Sequence, residues 1–241
     1  MNNRFLTIAS LLASSTLFMA GCSDDNSAFE TPNTNTDTPT NSGTVSQKNF
    51  SLLASDPQPT IFDPTTGSAS DTTLTMTVKI GDVKNQLLTD SHTVFFATEW
   101  GLINPSCVTE DGVCTVTWQT SFAPGTVPAD HLVTIIAYTV GEESFVDTNG
   151  NGIFDDADTI FVDGEEPFVD ADRNGVFGTG DTMINVVNGN DPTGINGVHD
   201  IGDTFLNSPS CTHPSLCSTV SRTTYIWDDI QINMDGPPTA P

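Results

Sequence analysis

The chain has 241 residues, with 31 acidic side chains against 6 basic ones and a formal net charge of −25 at pH 7. This charge argues against a nucleic-acid partner, because phosphate binding needs a positive patch that six cations cannot build here. With 36% hydrophobic and 15% charged residues, much of the remainder is Thr, Ser, Asn, Gly and Pro. Such a mixture favours strands and turns over helices. We therefore predict an all-β protein with one sizeable core, or a core with an appendage, and not several large domains.

The N-terminus predicts an exported protein. Arg4 precedes a mostly apolar run over residues 5–20, which has the plan of a secretory signal and is shorter than the roughly 20 residues of a membrane span. The run ends in Met-Ala-Gly-Cys at residues 19–22 and resembles the lipobox of bacterial lipoproteins. That resemblance implies a signal peptide over residues 1–21 and a lipid on Cys22 that holds the protein to a membrane. Ser23, where an Asp would signal inner-membrane retention, implies the outer membrane of a Gram-negative bacterium, on its periplasmic or its exposed face.

Two stretches carry too few bulky apolar side chains to form a core. After Cys22 the chain reads SDDNSAFETPNTNTDTPTNSGTVSQ, and it ends in GPPTAP. Segments of this composition cannot bury enough apolar surface to offset the entropy cost of ordering. We therefore predict a disordered tether over residues 22–47 and a disordered tail over residues 236–241.

Four further cysteines form two close pairs, Cys107 with Cys114 and Cys211 with Cys217. Four cysteines allow three pairings, and short loops, in an oxidising compartment, favour the two local disulfides. The alternative for the second pair is a zinc site that includes His213, but it lacks an evident fourth ligand. The four residues 109–112 predict a hairpin whose two cysteines lie opposite each other.

Between residues 50 and 140, apolar and polar residues alternate in short runs separated by turn residues. Every second residue of the run 73–80 is apolar, and Val133, Ile135 and Ala137 share one face of a later run. This period is typical of strands with one buried face, and several such strands predict a sandwich.

The same region resembles a bacterial immunoglobulin-like domain of the invasin and intimin type. The matching features are a strand ending in VKIGD, the strand and turn TVFFATEWGLINPS, the hairpin motif T-x-D-G-x-x-x-V and the late strand motif V-x-I-x-A. The resemblance covers roughly residues 50–140. It implies an immunoglobulin-like β-sandwich over residues 48–140, used as a surface module that is often adhesive, with no enzymatic activity.

Such a domain would close with one more strand soon after residue 140, yet an acidic segment intervenes. Alternating residues return only within residues 225–234. We therefore predict that residues 141–205 are an insertion before the last strand. Residues 206–235, with a disulfide loop and that strand, then complete the sandwich, which loop closure permits at modest cost.

The acidic segment contains an internal repeat with the spacing of calcium loops. Residues 142–158 and 165–181 are identical at nine of 17 aligned positions, and residues 196–203 echo them. Oxygen-bearing side chains recur at loop positions 1, 3, 5 and 12, with Gly at 6 and a main-chain carbonyl at 7, as calcium requires.

Loop 1 (residues 147–158) offers Asp147, Asn149, Asn151, the Ile153 carbonyl, Asp155 and Asp158. Loop 2 (residues 170–181) offers Asp170, Asp172, Asn174, the Val176 carbonyl and Asp181, with water at Gly178. Loop 3 (residues 192–203) offers Asn196, Asp200 and Asp203 but is defective, since Pro192 and Gly194 occupy positions 1 and 3.

The alternative is that these carboxylates are only a solvated surface. Residues 142–203 hold 15 acidic side chains against the single Arg173, a formal charge of −14 that repels itself unless cations neutralise it. The flanks are strand-like rather than helical, so the loops resemble those of thrombospondin type 3 repeats and dockerins more than paired EF-hands. We therefore predict bound calcium.

No arrangement typical of an enzyme stands out. The four histidines are scattered, and no serine-hydrolase or nucleotide-binding motif occurs. We expect a non-enzymatic surface module with a protein or glycan partner that the sequence does not identify. The alternative function is calcium-dependent carbohydrate binding or substrate capture, which needs an exposed aromatic platform from Trp100, Trp118 or Trp227.

The lipid anchor can be tested directly. Changing Cys22→Ser should leave the protein unlipidated and releasable from the membrane, because the acylated thiol is then missing. Membrane fractionation of cells that express each form measures this. Equal retention of the two forms would contradict the prediction.

Overall fold

The computed structural model describes residues 42–187 and 195–236, so the signal segment, Cys22 and the tail after Gly236 lie outside it. The described chain forms twelve strands and a 3₁₀ turn at Gln47–Asn49. The strands are β1 (Phe50–Ala54), β2 (Phe62–Asp63), β3 (Ser68–Ala69), β4 (Thr73–Ile80), β5 (Thr93–Thr98), β6 (Leu102–Ile103), β7 (Ser106–Val108), β8 (Val113–Gln119), β9 (Leu132–Gly141), β10 (Phe168–Val169), β11 (Thr182–Met183) and β12 (Thr224–Asn233). Over these residues no helix has the length and apolar character needed to cross a bilayer.

Two four-stranded antiparallel sheets dominate the fold, which confirms the all-β prediction. One sheet has the order β1-β4-β8-β6 and the other β12-β9-β5-β7. Buried side chains of both sheets form a single hydrophobic cluster. The alternation in the sequence accounts for this, because Leu74, Met76, Val78 and Ile80 all point to one side of β4 and are at most 5% exposed.

Trp118 is the largest buried side chain of that cluster, and its environment is specific. Its indole N–H donates to the carbonyl of Trp100 (2.9 Å), which satisfies the polar group inside the core. Gly101 lies directly against the ring with φ +93°, and a Cβ there would come within 2.4 Å of Nε1. Only glycine fits both the close approach and the backbone angle.

The last strand returns to the sheet that the chain left before the acidic segment. β12 pairs antiparallel with β9 at ten successive positions, from Thr224 opposite Gly141 to Asn233 opposite Leu132. Ile226 and Ile232 of β12 are buried in the shared core. Residues 142–223 therefore leave and re-enter the fold at one edge of one sheet.

Strand β9 is buried on both faces. Val133, Ile135 and Ala137 point into the shared core, while Ile136 and Thr134 on the opposite face are also at most 1% exposed. The Thr134 hydroxyl donates to the carbonyl of Asp170 (2.7 Å), so part of the acidic segment lies on this outer face.

The folded region begins before the boundary predicted from the sequence. Val45, placed in the tether, is fully buried in the core, and Ser46 forms a bridge with Glu142. The side chain of Gln47 pairs with the backbone of Trp227 through both its oxygen and its nitrogen. The tether prediction is therefore wrong for residues 42–47. A single valine in a polar stretch does not predict burial from the sequence. The segment is ordered because it covers the edge of the sheet at β12. Gly236, predicted in the tail, is buried as well.

Both predicted disulfides are present, Cys107–Cys114 and Cys211–Cys217, so the zinc alternative is excluded for the second pair. The hairpin prediction is wrong. Strand β7, with Cys107, pairs with β5 in one sheet, whereas β8, with Cys114, pairs with β4 and β6 in the other. Residues 109–112 thus carry the chain from one sheet to the other, and the disulfide joins the two sheets.

Removing the inter-sheet disulfide should destabilise the core that the two sheets share. For so short a loop, chain-entropy arguments give about 2 kcal/mol of unfolding free energy lost in the Cys107→Ala/Cys114→Ala variant. Urea denaturation followed by tryptophan fluorescence measures the loss, since Trp100 and Trp118 lie in the core. The matched control is Cys211→Ala/Cys217→Ala, which should leave that core transition in place. An unchanged midpoint in the first variant would contradict the prediction.

Candidate metal centre

Loop 1 is organised by two carboxylates that accept main-chain N–H groups. Asp147 Oδ1 accepts from Gly150 (2.7 Å) and Asn151 (3.2 Å), and its Oδ2 accepts from Gly152 (2.7 Å). Asp158, which is fully buried, accepts from Thr148 (2.7 Å) and Asp155 (3.2 Å). The first and last positions of the loop are thereby folded towards each other.

Loop 2 repeats this hydrogen-bond pattern position by position. Asp170 Oδ1 accepts from Arg173 (2.6 Å) and Asn174 (3.3 Å), and Oδ2 accepts from Gly175 (2.7 Å). Asp181 accepts from Ala171 (2.9 Å) and Gly178 (2.8 Å). In both loops, therefore, position 1 binds the amides of positions 4, 5 and 6, and position 12 binds those of positions 2 and 9.

The carboxylates of loop 2 also converge. One oxygen each of Asp170, Asp172 and Asp181 lies within 4.8 Å of the others. In loop 1 the amide nitrogens of Asn149 and Asn151 donate to Asp155, which gathers these three side chains as well. Hard oxygen donors grouped in a tight loop match the ligand set of calcium and lack the sulfur and imidazole ligands of softer metals.

Loop 3 departs from the pattern. Its described part keeps the bonds of position 5, because Asn196 accepts from Val198 (2.7 Å) and donates to Asp200 (3.0 Å). The amide of Asp200, at position 9, instead donates to Glu166 (3.0 Å), and the amide of Asp203 donates to Asp163 (2.9 Å). Positions 1 and 3 fall outside the described residues. The bonds that bring position 12 towards position 9 in the other two loops are replaced here by bonds to other carboxylates.

The aromatic side chains at position 8 of the loops are packed in the structure, although no role was predicted for them from the sequence. Phe154 of loop 1 is fully buried with Leu206 and Cys211 in a small second core beside the Cys211–Cys217 disulfide. Phe177 of loop 2 stacks on His199, the residue at position 8 of loop 3, with ring centroids 4.2 Å apart. The signal was available, since both aligned repeats have Phe at this place.

Arg173 attaches loop 2 to the region that contains the two large sheets. Its guanidinium pairs with Glu99 (2.9 Å) and Asp130 (2.8 Å) and donates to the carbonyl of Leu132 (2.8 Å). The arginine side chain is only 10% exposed. Burial raises the pKa of Glu99, and the nearby Arg173 opposes that rise. The sole cation of the acidic segment is thus used as a clamp rather than as a counter-charge within the loops.

Buried glutamates fix the base of each repeat. Glu143 accepts the amides of Gly164 (2.7 Å) and Asn207 (2.7 Å), and its repeat counterpart Glu166 accepts those of Val186 (3.1 Å) and Asp200. Burial raises the pKa of Glu143 to about 7, against the lowering effect of its N–H donors. These carboxylates act as internal acceptors for the backbone of a segment that has little regular structure.

Comparison with known proteins gives no match to this chain among protein-family models, curated proteins or solved structures.

The three tryptophans differ in their exposure. Trp118 and Trp100 are buried, at 0% and 8% exposed. Trp227 is half-buried and lines a cavity of about 290 Å³ together with Tyr225 and several carboxylates.

The Arg173 clamp can be tested by a double-mutant cycle. Arg173→Met should lower the free energy of unfolding by about 2 kcal/mol, because Glu99 is then left half-buried without its cation. Glu99→Gln in the same chain should recover part of that loss, and the coupling between the two sites should exceed about 0.5 kcal/mol. Lys79→Met, which removes an exposed lysine from β4, is the control. Strictly additive effects would contradict the clamp.

Proposed function

We propose that this protein is a lipid-anchored, calcium-binding cell-surface module with a structural or adhesive role and no enzymatic activity. In this proposal an immunoglobulin-like sandwich carries the acidic segment as a calcium-stabilised insertion. The observation that carries it is the identical set of amide-to-carboxylate bonds in loops 1 and 2.

Charge supports the calcium part of the proposal. Loop 2 brings together the carboxylates of Asp170, Asp172 and Asp181, and the guanidinium of Arg173, the cation of this loop, is paired with Glu99 and Asp130 outside it. Like charges held this close are costly unless a counter-ion neutralises them. Calcium at each loop would supply that charge and would accept the side-chain oxygens and the carbonyls of Ile153 and Val176 as ligands.

The sheet arrangement supports the immunoglobulin-like part. Two four-stranded antiparallel sheets share one core and are linked by the Cys107–Cys114 disulfide. Sandwiches of this architecture commonly serve as surface modules whose loops carry the function. The anchor itself rests on the lipobox-like residues 19–22, which precede the described part of the chain.

The alternative function, calcium-dependent carbohydrate or substrate capture, now depends on one residue. Burial of Trp100 and Trp118 removes them as an exposed platform. Trp227 lines a cavity, and its indole N–H donates to the carbonyl of Glu165 (3.3 Å). A glycan screen with the wild type and Trp227→Leu tests this candidate, because only the loss of a bound glycan in the variant would favour it.

Calcium titration by calorimetry tests the principal proposal. Two sites with dissociation constants on the order of 10⁻⁴ to 10⁻³ M are expected, because position 12 is Asp and paired helices are missing from the described flanks. Asp147→Ala and Asp170→Ala should each remove one calcium site. The isosteric Asp172→Asn should weaken calcium binding by loop 2 through the lost charge alone. Asp71→Ala, an exposed carboxylate outside the loops, is the control.

Calcium should also raise stability, since it binds the folded state only. At 100 times the dissociation constant the gain is roughly 2.7 kcal/mol per site. Chelation should make residues 142–203 sensitive to proteolysis while the sandwich core keeps its own unfolding transition. Absence of binding at millimolar calcium, or proteolysis that ignores the chelator, would show the acidic segment to be a solvated surface.

A further inference from the structure

A cavity of about 600 Å³ lies between loop 1 and the start of the folded chain. Its wall includes Ser46, Lys48, Lys84 and Asn85 on one side and residues 150–152 of loop 1 on the other. We propose that this cavity binds an oxyanion, the carboxylate of an acidic sugar, between the two lysines, and that calcium in loop 1 strengthens the binding. The calcium dependence rests on the proposed function above.

The lysines are the first observation. The chain has three lysines in all, and two of them, Lys48 and Lys84, line this one cavity. Among the described ion pairs and hydrogen bonds, neither ammonium group has a carboxylate partner, although 31 acidic residues are available in the chain. Two cations without a carboxylate partner in the wall of one cavity create a local site for an anion.

Ser46 supplies an independent second observation. The residue is in the wall of the cavity and is 1% exposed, and its buried hydroxyl has no hydrogen-bond partner. Its main chain is fixed by the bond from its amide to the carbonyl of Gly81 (2.9 Å), so the hydroxyl cannot simply turn outward with the backbone. A buried hydroxyl without a partner is unfavourable, and an oxygen of a bound ligand would satisfy it.

Loop 1 connects the cavity to calcium. Asp147, at position 1 of the loop, is part of the wall. The stem of Lys84 lies over Gly152, where a Cβ would be 3.5 Å from Lys84 Cε. Without a bound cation the loop carboxylates repel an anion, and the two positive charges of calcium reduce that repulsion. By thermodynamic reciprocity the anion must then strengthen calcium binding by the same factor.

The size of the cavity limits which ligands fit. Its volume falls in the range of pockets for small molecules and accommodates one sugar unit. Lysine ammonium groups bind oxyanions as point charges with several donors, so they fit a carboxylate held by two contacts and discriminate against a neutral sugar. Sulfate presents similar oxygens without the ring and therefore separates recognition of the charge from recognition of the sugar.

Calorimetric titration of the whole folded protein in millimolar calcium provides the test, with glucuronate, sulfate and neutral glucose as probes. Glucuronate should bind saturably at millimolar concentrations and glucose should not. Lys48→Met and Lys84→Met keep the stem but remove the charge, and each should weaken glucuronate at least about tenfold. Ser46→Ala should weaken it less, and Lys79→Met, the third lysine, should bind as the wild type does.

The outcomes separate the two proposals. Calcium titration of the same variants without anion should show binding no weaker than in the wild type, because each lysine variant removes a positive charge beside loop 1 and no loop ligand. A loss of glucuronate binding then reports on the cavity. Sulfate binding equal to that of glucuronate would assign the site to the oxyanion without the sugar, which overturns the sugar assignment only. Equal binding of glucose, no saturable binding, or lysine variants that bind like the wild type would overturn the proposal even if calcium binds as expected.

Discussion

The ten-residue ladder between β9 and β12 fixes the position of everything that lies between these strands in the chain. Because both ends of residues 142–223 are held at one sheet edge, this segment needs no independent core to be located on the sandwich. It contributes Phe154, Leu206 and Cys211 to a small satellite cluster, and its Asp170 carbonyl accepts a hydrogen bond from Thr134 on the outer face of β9. A segment with so little apolar area of its own could not fold alone.

Carboxylates perform several distinct tasks in this segment. Glu143 and Glu166 are internal acceptors for backbone amides, Asp147 and Asp170 shape the candidate calcium loops, and Glu99 receives the Arg173 clamp from the sandwich side. Only the second task was evident from spacing. The same residue type therefore supplies structure where helices and sheets are short, which explains how a formally repulsive composition forms defined loops.

The features that could be predicted from the sequence are those with local signals. The two-residue period of β4, the short spacing of each cysteine pair and the internal repeat all depend on residues near one another, and they predicted strands, disulfides and loop positions. The missed features depend on distant partners. Arg173 meets Glu99 across 74 positions, and Val45 reaches a core formed by later strands. The prediction of a hairpin at residues 109–112 was wrong because the same turn motif can return the chain within one sheet or carry it to a second sheet.

That crossing has a mechanical consequence. Force applied to two packed sheets tends to shear one sheet from the other. At the β7–β8 corner the sulfur–sulfur bond spans both sheets and encloses only six residues, so almost no slack can be released there. At the opposite side, β1 meets β12 through noncovalent contacts such as the hydrogen bond from the Leu52 amide to Asp228 (2.8 Å), which can separate under force. One side of the two-sheet core is therefore linked covalently and the opposite side only by noncovalent contacts. The acidic segment leaves the sheet at this second side, between β9 and β12.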